Sequence, residues 1–260
     1  MWLINTHNGY KNIKEIKIDN YPKIKEYLDQ HWTRLAKRSD KGKTPYNLRS
    51  CAYVDLFVKE KIIYPETTVR RAEFYRDKES YFIDKTAFMI VGDNLGYYQS
   101  ILASKLMQWY LEFDLRSLGK NSIQYSKIFI ENTPIPNANI NIIREFNIKS
   151  DFILDRDKLI KQKKNKFITR VTDNFEIDKI SKEIDTFYNH DFKIFLSELN
   201  KKKIKLSLIQ QDEWVEYFNF FKTEINNLQT EISQTDKKID QMVYELYELT
   251  KEEIAIIEKQ

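Results

Sequence analysis

The chain of 260 residues is 42% hydrophobic and 32% charged, which is enough apolar sequence for one large or two modest cores. Its mean hydropathy of -0.61, without any apolar stretch of transmembrane length, excludes a membrane span. A single cysteine, Cys51, excludes a disulfide framework and a cysteine zinc site. No signal peptide is recognisable, so we expect a cytoplasmic protein. The apolar start at Trp2 suggests a piece of a longer polypeptide.

Positive charge is concentrated in the first part of the chain. Residues 1–150 contain 24 Lys and Arg against 17 Asp and Glu, a net charge of +7. Residues 151–260 contain 19 against 22, a net charge of -3. The basic part is therefore the better partner for a polyanion.

The first predicted helix runs from about residue 22 to residue 38, because Ile24, Leu28 and Trp32 repeat at helical spacing. A loop at residues 40–45 with glycine and proline ends it. The helix end and the loop together bring five cations into one short region: Arg34, Lys37, Arg38, Lys41 and Lys43. We interpret these cations as a solvated helix end.

A strand is predicted over residues 58–64, where β-branched and aromatic residues precede Pro65. Lys59 and Lys61 are two positions apart, so both point to one face of this strand, which must meet water or an anion. Further short strands are predicted at residues 72–75, 80–83, 87–91 and 124–130.

A helix over residues 95–113, capped by Asp93 and Asn94, carries an apolar stripe and is expected to back the sheet. The polar loop at residues 115–122 follows. Its residues Arg116 and Lys120 are suited to phosphates and base edges, or else the loop is an ordinary surface turn.

The clearest pattern is a heptad seam near the C-terminus. It consists of Trp214, Phe218, Phe221, Ile225, Leu228, Ile232, Thr235, Ile239, Met242, Leu246 and Leu249. This spacing predicts a long helix that packs lengthwise on another helix, from this chain or from a neighbour. The predicted fold class is α+β: a mixed small sheet backed by helices, then a mainly helical C-terminal region with the long heptad helix.

No catalytic constellation is recognisable. The sequence contains no dinucleotide or Walker phosphate loop, and His7, His31 and His190 lie far apart in sequence. We interpret Cys51 as a small packed side chain and not as a nucleophile. We expect no catalytic site, no metal site and no cofactor in this chain.

Several segments together resemble a known family. They are residues 2–10 (WLINTHNGY), 40–51 (DKGKTPYNLRSC), 59–65 (KEKIIYP), 100–105 (SILASK), 132–136 (NTPIP) and 238–254 (KIDQMVYELYELTKEEI). In this order they resemble the TaqI-like C-terminal specificity domain, the target-recognition region of type IIG restriction-modification enzymes. The family usually carries a glycine where this chain has Glu248.

The resemblance implies a function in sequence-specific recognition of double-stranded DNA, with residues 1–136 as the target-recognition domain and residues 137–260 as a helical region. In such enzymes a nuclease and an adenine methyltransferase precede this domain on one polypeptide. S-adenosylmethionine and Mg are therefore expected cofactors of the parent enzyme, whereas this chain resembles its non-catalytic part.

The base-contacting residues of the family vary with the DNA site, so we predict the contacts from chemistry. The candidates for base edges or phosphates are Arg70, Arg71 and Arg76. The candidates on the 115–122 loop are Arg116 and Lys120, and those that hold the DNA backbone are Arg49, Lys59 and Lys61. The alternative is a protein-interaction module that acts through the heptad helix, with the basic face merely solvated.

Overall fold

The computed structural model describes residues 3–69, 71–114 and 123–259. The chain divides into two compact units. We call Met1–Tyr64 with Asp77–Gly92 the N-terminal unit, and Pro65–Arg76 with Asp93–Gln260 the C-terminal unit. These are units of compactness, and the division into domains at residue 136 stays a prediction.

Short helices form the first part of the N-terminal unit. They are a 3-10 helix at Ile18–Asn20, α1 (Pro22–Asp29), α2 (Trp32–Lys37) and a 3-10 helix at Val54–Leu56. The prediction of one continuous helix over residues 22–38 is wrong, because the backbone leaves the helical region at His31. No residue of α1 or α2 is buried, so packing does not enforce a longer helix here.

Five short strands form two small sheets. The strands are β1 (Lys61–Pro65), β2 (Thr67–Thr68), β3 (Tyr75–Asp77), β4 (Ala87–Ile90) and β5 (Ile123–Gln124). One sheet has the order β3-β1-β4, and in the other β2 pairs antiparallel with β5, Thr67 opposite Gln124. Residues 80–83 are not a strand, and the strand predicted over 124–130 is replaced by a helix after residue 126.

Helices dominate the C-terminal unit. They are α3 (Leu95–Ala103), α4 (Lys105–Asp114), α5 (Lys127–Glu131), α6 (Ile140–Phe175), α7 (Lys182–Asp185), a 3-10 helix at Phe187–Asn189, α8 (Phe192–Lys201), α9 (Leu208–Leu246) and α10 (Lys251–Ile257).

The predicted helix over residues 95–113 is interrupted at Ser104. The backbone there is extended, and the Ser104 hydroxyl donates to the Ile101 carbonyl at 2.7 Å and accepts from the Met107 N–H at 3.3 Å. Such local side-chain hydrogen bonds compete with helix continuation. The expected cap is also absent, because the Asn94 side chain makes no capping hydrogen bond.

The two long helices α6 and α9 pack lengthwise and antiparallel. Arg156 pairs with Glu231 at 2.9 Å, and further along α6 Lys163 pairs with Glu224 at 2.8 Å, so rising numbers on α6 meet falling numbers on α9. Phe218, Phe221 and Ile225 from the heptad seam are buried in one cluster with Phe167. The long heptad helix therefore finds its partner within this chain.

The predicted α+β class is confirmed: a small antiparallel sheet accompanies many helices, with long helices in the C-terminal region. Within the described part of the chain, no helix combines the length and the apolar character needed to cross a bilayer.

Candidate functional site

The eight cationic residues predicted to contact DNA fall into three groups. Outside the described residues lie Arg70, Arg116 and Lys120. In the N-terminal unit lie Arg49, Lys59 and Lys61, and in the C-terminal unit lie Arg71 and Arg76. The structure thus divides the predicted set between two compact units.

Arg49 belongs to a loop at residues 41–50, which we call the basic loop because it contains Lys41, Lys43 and Arg49 and no acidic residue. Asn47, which is buried, fastens this loop to the N-terminal segment. Its Nδ2 donates to the Ile16 carbonyl at 2.9 Å. The carbonyls of residues 6 and 7 lie 3.5 and 3.4 Å from the same atom. The loop backbone is therefore fixed by one buried amide.

The other side of the basic loop is fastened to α1 and α2. Arg38 donates from one guanidinium nitrogen to the Asn47 carbonyl at 2.7 Å. The Tyr46 ring lies 5.3 Å from the Trp32 ring, and its hydroxyl donates to the Asp29 carboxylate at 2.5 Å. This hydrogen bond to a carboxylate raises the pKa of Tyr46 to about 12, so the hydroxyl stays a donor well above neutral pH.

The interpretation of the five cations as a solvated helix end is thus wrong in part. Lys41 Nζ donates to the Ala36 carbonyl at 2.9 Å, and Arg38 is only partly exposed. Both side chains connect the basic loop to α2. Arg34 and Lys37 are exposed and make no hydrogen bond or ion pair through their side chains with the described residues.

Both ends of the basic loop meet one side chain. Asn8 accepts from the Lys43 N–H at 2.7 Å and donates to the Ser50 hydroxyl at 2.8 Å. A Cβ at Gly42 would lie 2.6 Å from both Asn8 Oδ1 and the Leu48 carbonyl, so only glycine fits there without a shift. Arg49 is exposed and makes no ion pair or hydrogen bond through its side chain with the described residues.

Lys59 and Lys61 do not share an exposed face, which corrects the expectation from the strand pattern. Lys59 is exposed, whereas the Lys61 side chain is completely buried. Lys61 Nζ pairs with the buried Asp77 carboxylate and donates to the Phe57 carbonyl at 2.7 Å. Lys61 does meet an anion, but the anion is internal, so its ammonium is not part of a surface that DNA can reach.

Arg76 and Arg71 both have acidic partners in the C-terminal unit. Arg76 is nearly buried, donates to the Ser150 hydroxyl at 2.8 Å and pairs with Asp151 at 3.0 Å. Arg71 is exposed and pairs with Glu112 at 2.9 Å. In this conformation the Arg76 guanidinium joins β3 to α6, and its predicted contact with base edges or phosphates stays a prediction. DNA contact by Arg71 stays a prediction.

Exposed cations outside the predicted set add to the charge of the N-terminal unit. Like Arg34 and Lys37, three further side chains are exposed and unpaired among the described residues: Lys14, Lys17 and Lys23. The N-terminal unit holds 15 Lys and Arg against 10 Asp and Glu, a net charge of +5. The C-terminal unit holds the remaining 28 against 29, a net charge of -1. The early basic excess in the sequence was the signal for these residues.

The C-terminal unit contains an acidic groove. A cavity of about 340 Å³ is lined by Asp236 and Asp240 of α9 together with Lys105 and the serines at 100, 104 and 150. Burial within the groove and the neighbouring Asp240 carboxylate raise the pKa of Asp236 to about 6. Lys105 is itself paired with Glu258, so the groove keeps an excess of carboxylates, which repels a polyanion such as DNA.

No metal or nucleophile site emerges from the described residues. None of their His, Cys, Asp and Glu side chains form a group of three or more that could hold a metal ion. His31 contacts the Tyr27 ring edge to face at 5.3 Å, and Cys51 is a partly exposed free thiol. Neither residue has the geometry of a catalytic pair in the described part of the chain.

Comparison with known protein families matches two consecutive parts of the chain. Residues 7–135 match the TaqI-like C-terminal specificity domain. Residues 139–243 match a family described as a domain of unknown function (DUF8810). The first match contains the basic loop and all eight predicted contact residues. The second contains α6 and most of α9.

Proposed function

We propose that this chain recognises a specific sequence in double-stranded DNA, because residues 7–135 match the family of TaqI-like C-terminal specificity domains. The family match indicates DNA sequence recognition in restriction-modification. In our proposal the chain is the specificity part of a type IIG enzyme that acts in the cytoplasm. The adenine methyltransferase and nuclease domains of the parent polypeptide then supply catalysis, with S-adenosylmethionine and Mg as their cofactors.

The basic loop is the observation that supports this function best. It lies inside the matched region and belongs to the unit with a net charge of +5. Of its three cations, Lys43 pairs with Glu15 at 3.1 Å and Lys41 donates to the Ala36 carbonyl, which leaves Arg49 as the candidate for DNA contact. Neutralising phosphates supplies most of the affinity of a protein for DNA, and arginine is the commonest side chain to contact guanine. Arg49 is exposed on a fastened loop and makes no ion pair with the residues that the structure describes, so it suits either role.

The interaction-module alternative has less support. It needs the apolar seam of α9 to be free for a partner protein, whereas Phe218, Phe221 and Ile225 are buried against Phe167 and its neighbours on α6. No observation on the described residues favours this alternative over DNA recognition.

Selection from a randomised duplex pool tests the proposal. The purified chain is mixed with the pool at two salt concentrations, and the retained DNA is sequenced. We expect enrichment of an asymmetric motif of several base pairs, with retention that falls steeply as salt rises. Retention without enrichment would reduce the function to phosphate binding, and no retention at low salt would refute it.

A matched pair of arginine variants tests the site. Arg49→Gln removes the exposed cation of the basic loop, and Arg170→Gln removes an exposed cation of α6 in the C-terminal unit. We expect only Arg49→Gln to weaken binding and to lower the slope of log Kd against log salt, by about one for a single phosphate contact.

Binding of S-adenosylmethionine to this chain would contradict its non-catalytic assignment.

A further inference from the structure

Hydrogen bonds from three directions hold the basic loop in one conformation. Asn47 fastens it to the N-terminal segment, Asn8 joins its two ends, and Arg38 fastens it to α2. The loop itself contains no acidic residue, although Lys43 pairs with Glu15 of the N-terminal segment at 3.1 Å, so Arg49 is its cation without an ion pair or side-chain hydrogen bond among the described residues.

Asn47 is the central element of this arrangement. The side chain is only 2% exposed, although asparagine is mostly a surface residue. Its Oδ1 accepts from the Thr44 hydroxyl at 2.7 Å, so both ends of the amide are engaged. Its own carbonyl accepts from Arg38 at 2.7 Å and from the Gly42 N–H at 3.0 Å. The buried amide and its backbone therefore set the path of the chain two residues before Arg49.

Asn8 controls the same loop from a partly exposed position. Its amide contacts the loop at Lys43 and at Ser50, on either side of the segment that Asn47 holds. The close approach of Gly42 to Asn8 keeps the two ends together. Asn8, Gly42 and Asn47 carry no charge, so they do not contribute directly to the electrostatic attraction for phosphate.

We propose that Asn47 and Asn8 are positioning residues that pre-order the basic loop as the surface on which Arg49 meets the DNA backbone. This inference rests on the proposed DNA recognition. A loop that is ordered before binding does not lose conformational entropy on binding, and Arg49 meets the phosphates in one register. The partner is duplex DNA, and the surface is the basic loop with the adjoining α2.

The experiment separates positioning from charge. We compare wild type, Asn47→Ala, Asn8→Ala, Gly42→Ala and Arg49→Gln of the full chain, with the duplex enriched by wild type and a mixed-sequence duplex as probes. Binding is measured well below the melting temperature of each variant. The folded fraction is determined by circular dichroism, so that loss of folding is not mistaken for loss of binding.

We expect the positioning variants to bind the enriched duplex about tenfold more weakly, which corresponds to ordering roughly one residue. Their slope of log Kd against log salt should equal that of wild type, whereas Arg49→Gln should lower it by about one. Hydrogen exchange should rise in residues 41–50 of the positioning variants. If Asn47→Ala does not fold, Asn8→Ala and Gly42→Ala still decide the question.

Two outcomes separate this inference from the function on which it rests. If wild type enriches a motif and the folded positioning variants bind it as wild type does, the loop order is purely structural and the inference is wrong. If wild type enriches no motif and binds neither probe, the proposed function itself is wrong. A slope lowered in Asn8→Ala as much as in Arg49→Gln would also overturn the inference, because the phosphate contact would then be lost from the bound state, and the variant would have changed more than the order of the free loop.

Discussion

The buried ion pair between Lys61 and Asp77 gives the sharpest prediction for the stability of the N-terminal unit. Both side chains are 0% exposed. Replacing Lys61 by methionine keeps most of the side-chain volume and removes the ammonium. The Asp77 carboxylate then stays buried without its cation, and the Phe57 carbonyl loses a donor at 2.7 Å.

The expected loss follows from the remaining partners. Removing one member of a buried pair costs about 3–5 kcal/mol, because the other charge is left uncompensated. Asp77 keeps two backbone donors, the N–H of Glu79 at 2.7 Å and of Tyr81 at 2.8 Å. Because these donors partly stabilise the remaining charge, we expect Lys61→Met to lower the free energy of unfolding by an amount at the lower end of that range, about 3 kcal/mol.

The assay is urea unfolding, monitored through hydrogen exchange in the peptide that contains β1. This peptide reports on the N-terminal unit directly. Lys59→Met is the matched control, because Lys59 is exposed and two positions away, and we expect it to change the stability by less than about 0.5 kcal/mol.

Asp77→Asn and the double variant Lys61→Met with Asp77→Asn complete a thermodynamic cycle. The double variant should lose less than the sum of the single losses, with a coupling of about 2 kcal/mol, because no lone buried charge remains. The reasoning is refuted if Lys61→Met behaves like Lys59→Met, or if the losses in the double variant are additive.

Three further predictions concern the C-terminal unit. Phe167→Ala should lower the free energy of unfolding of this unit by about 3–5 kcal/mol in a denaturant titration, since the Phe167 ring is completely buried in the aromatic cluster. A loss below about 1 kcal/mol would contradict that packing. Glu248 has a φ of 54° at the end of α9, where the Leu249 N–H donates to the Tyr244 carbonyl. Glycine adopts this left-handed conformation without strain, so Glu248→Gly should raise the stability by about 1 kcal/mol in thermal unfolding. A lower melting temperature would argue against strain at Glu248. Asp236→Asn should stabilise the protein at pH 8 and not at pH 4. The raised Asp236 pKa makes the folded state hold more protons than the unfolded state between pH 3.8 and about 6, so the wild type loses stability as the pH rises through this window. Although the groove partly desolvates the carboxylate, Asp236 as a whole residue stays exposed, so screening limits the gain to less than about 1 kcal/mol. Equal melting temperatures at pH 8 would refute the prediction.

The charge of the two compact units bears on how the proposed recognition works. The N-terminal unit has the excess of cations, and the C-terminal unit has the acidic groove at Asp236 and Asp240. Attraction to DNA therefore acts mainly on the N-terminal unit. The salt dependence of binding should accordingly respond to Arg49 and not to Arg170.

The sequence alone was sufficient for the fold class, the long C-terminal helix and the basic N-terminal part. Each depends on a local property: the period of apolar side chains, or a count of charges. The heptad spacing survives in the structure because Phe218, Phe221 and Ile225 fall on one side of any α-helix. The specificity-domain family was likewise recognisable from short segments of the chain.

Helix ends were predicted less well, because they depend on single residues that the apolar period does not register. The apolar stripe continues from Leu102 to Leu106 across Ser104, although the backbone is extended there. The Ser104 hydroxyl satisfies the helix ends on both sides, so the stripe keeps its direction through the break.

Only the tertiary structure decided which cations are available for a ligand. Lys59 and Lys61 are equivalent in a strand pattern, yet Lys61 is buried because Asp77, which lies 16 residues later, provides a counter-charge inside the unit. Nothing in the local sequence pattern marked Asn47 as buried, because its partners at Ile16 and Arg38 come together only in the folded chain. Burial and hydrogen bonding are non-local, so residue type alone cannot separate a surface cation from a structural one.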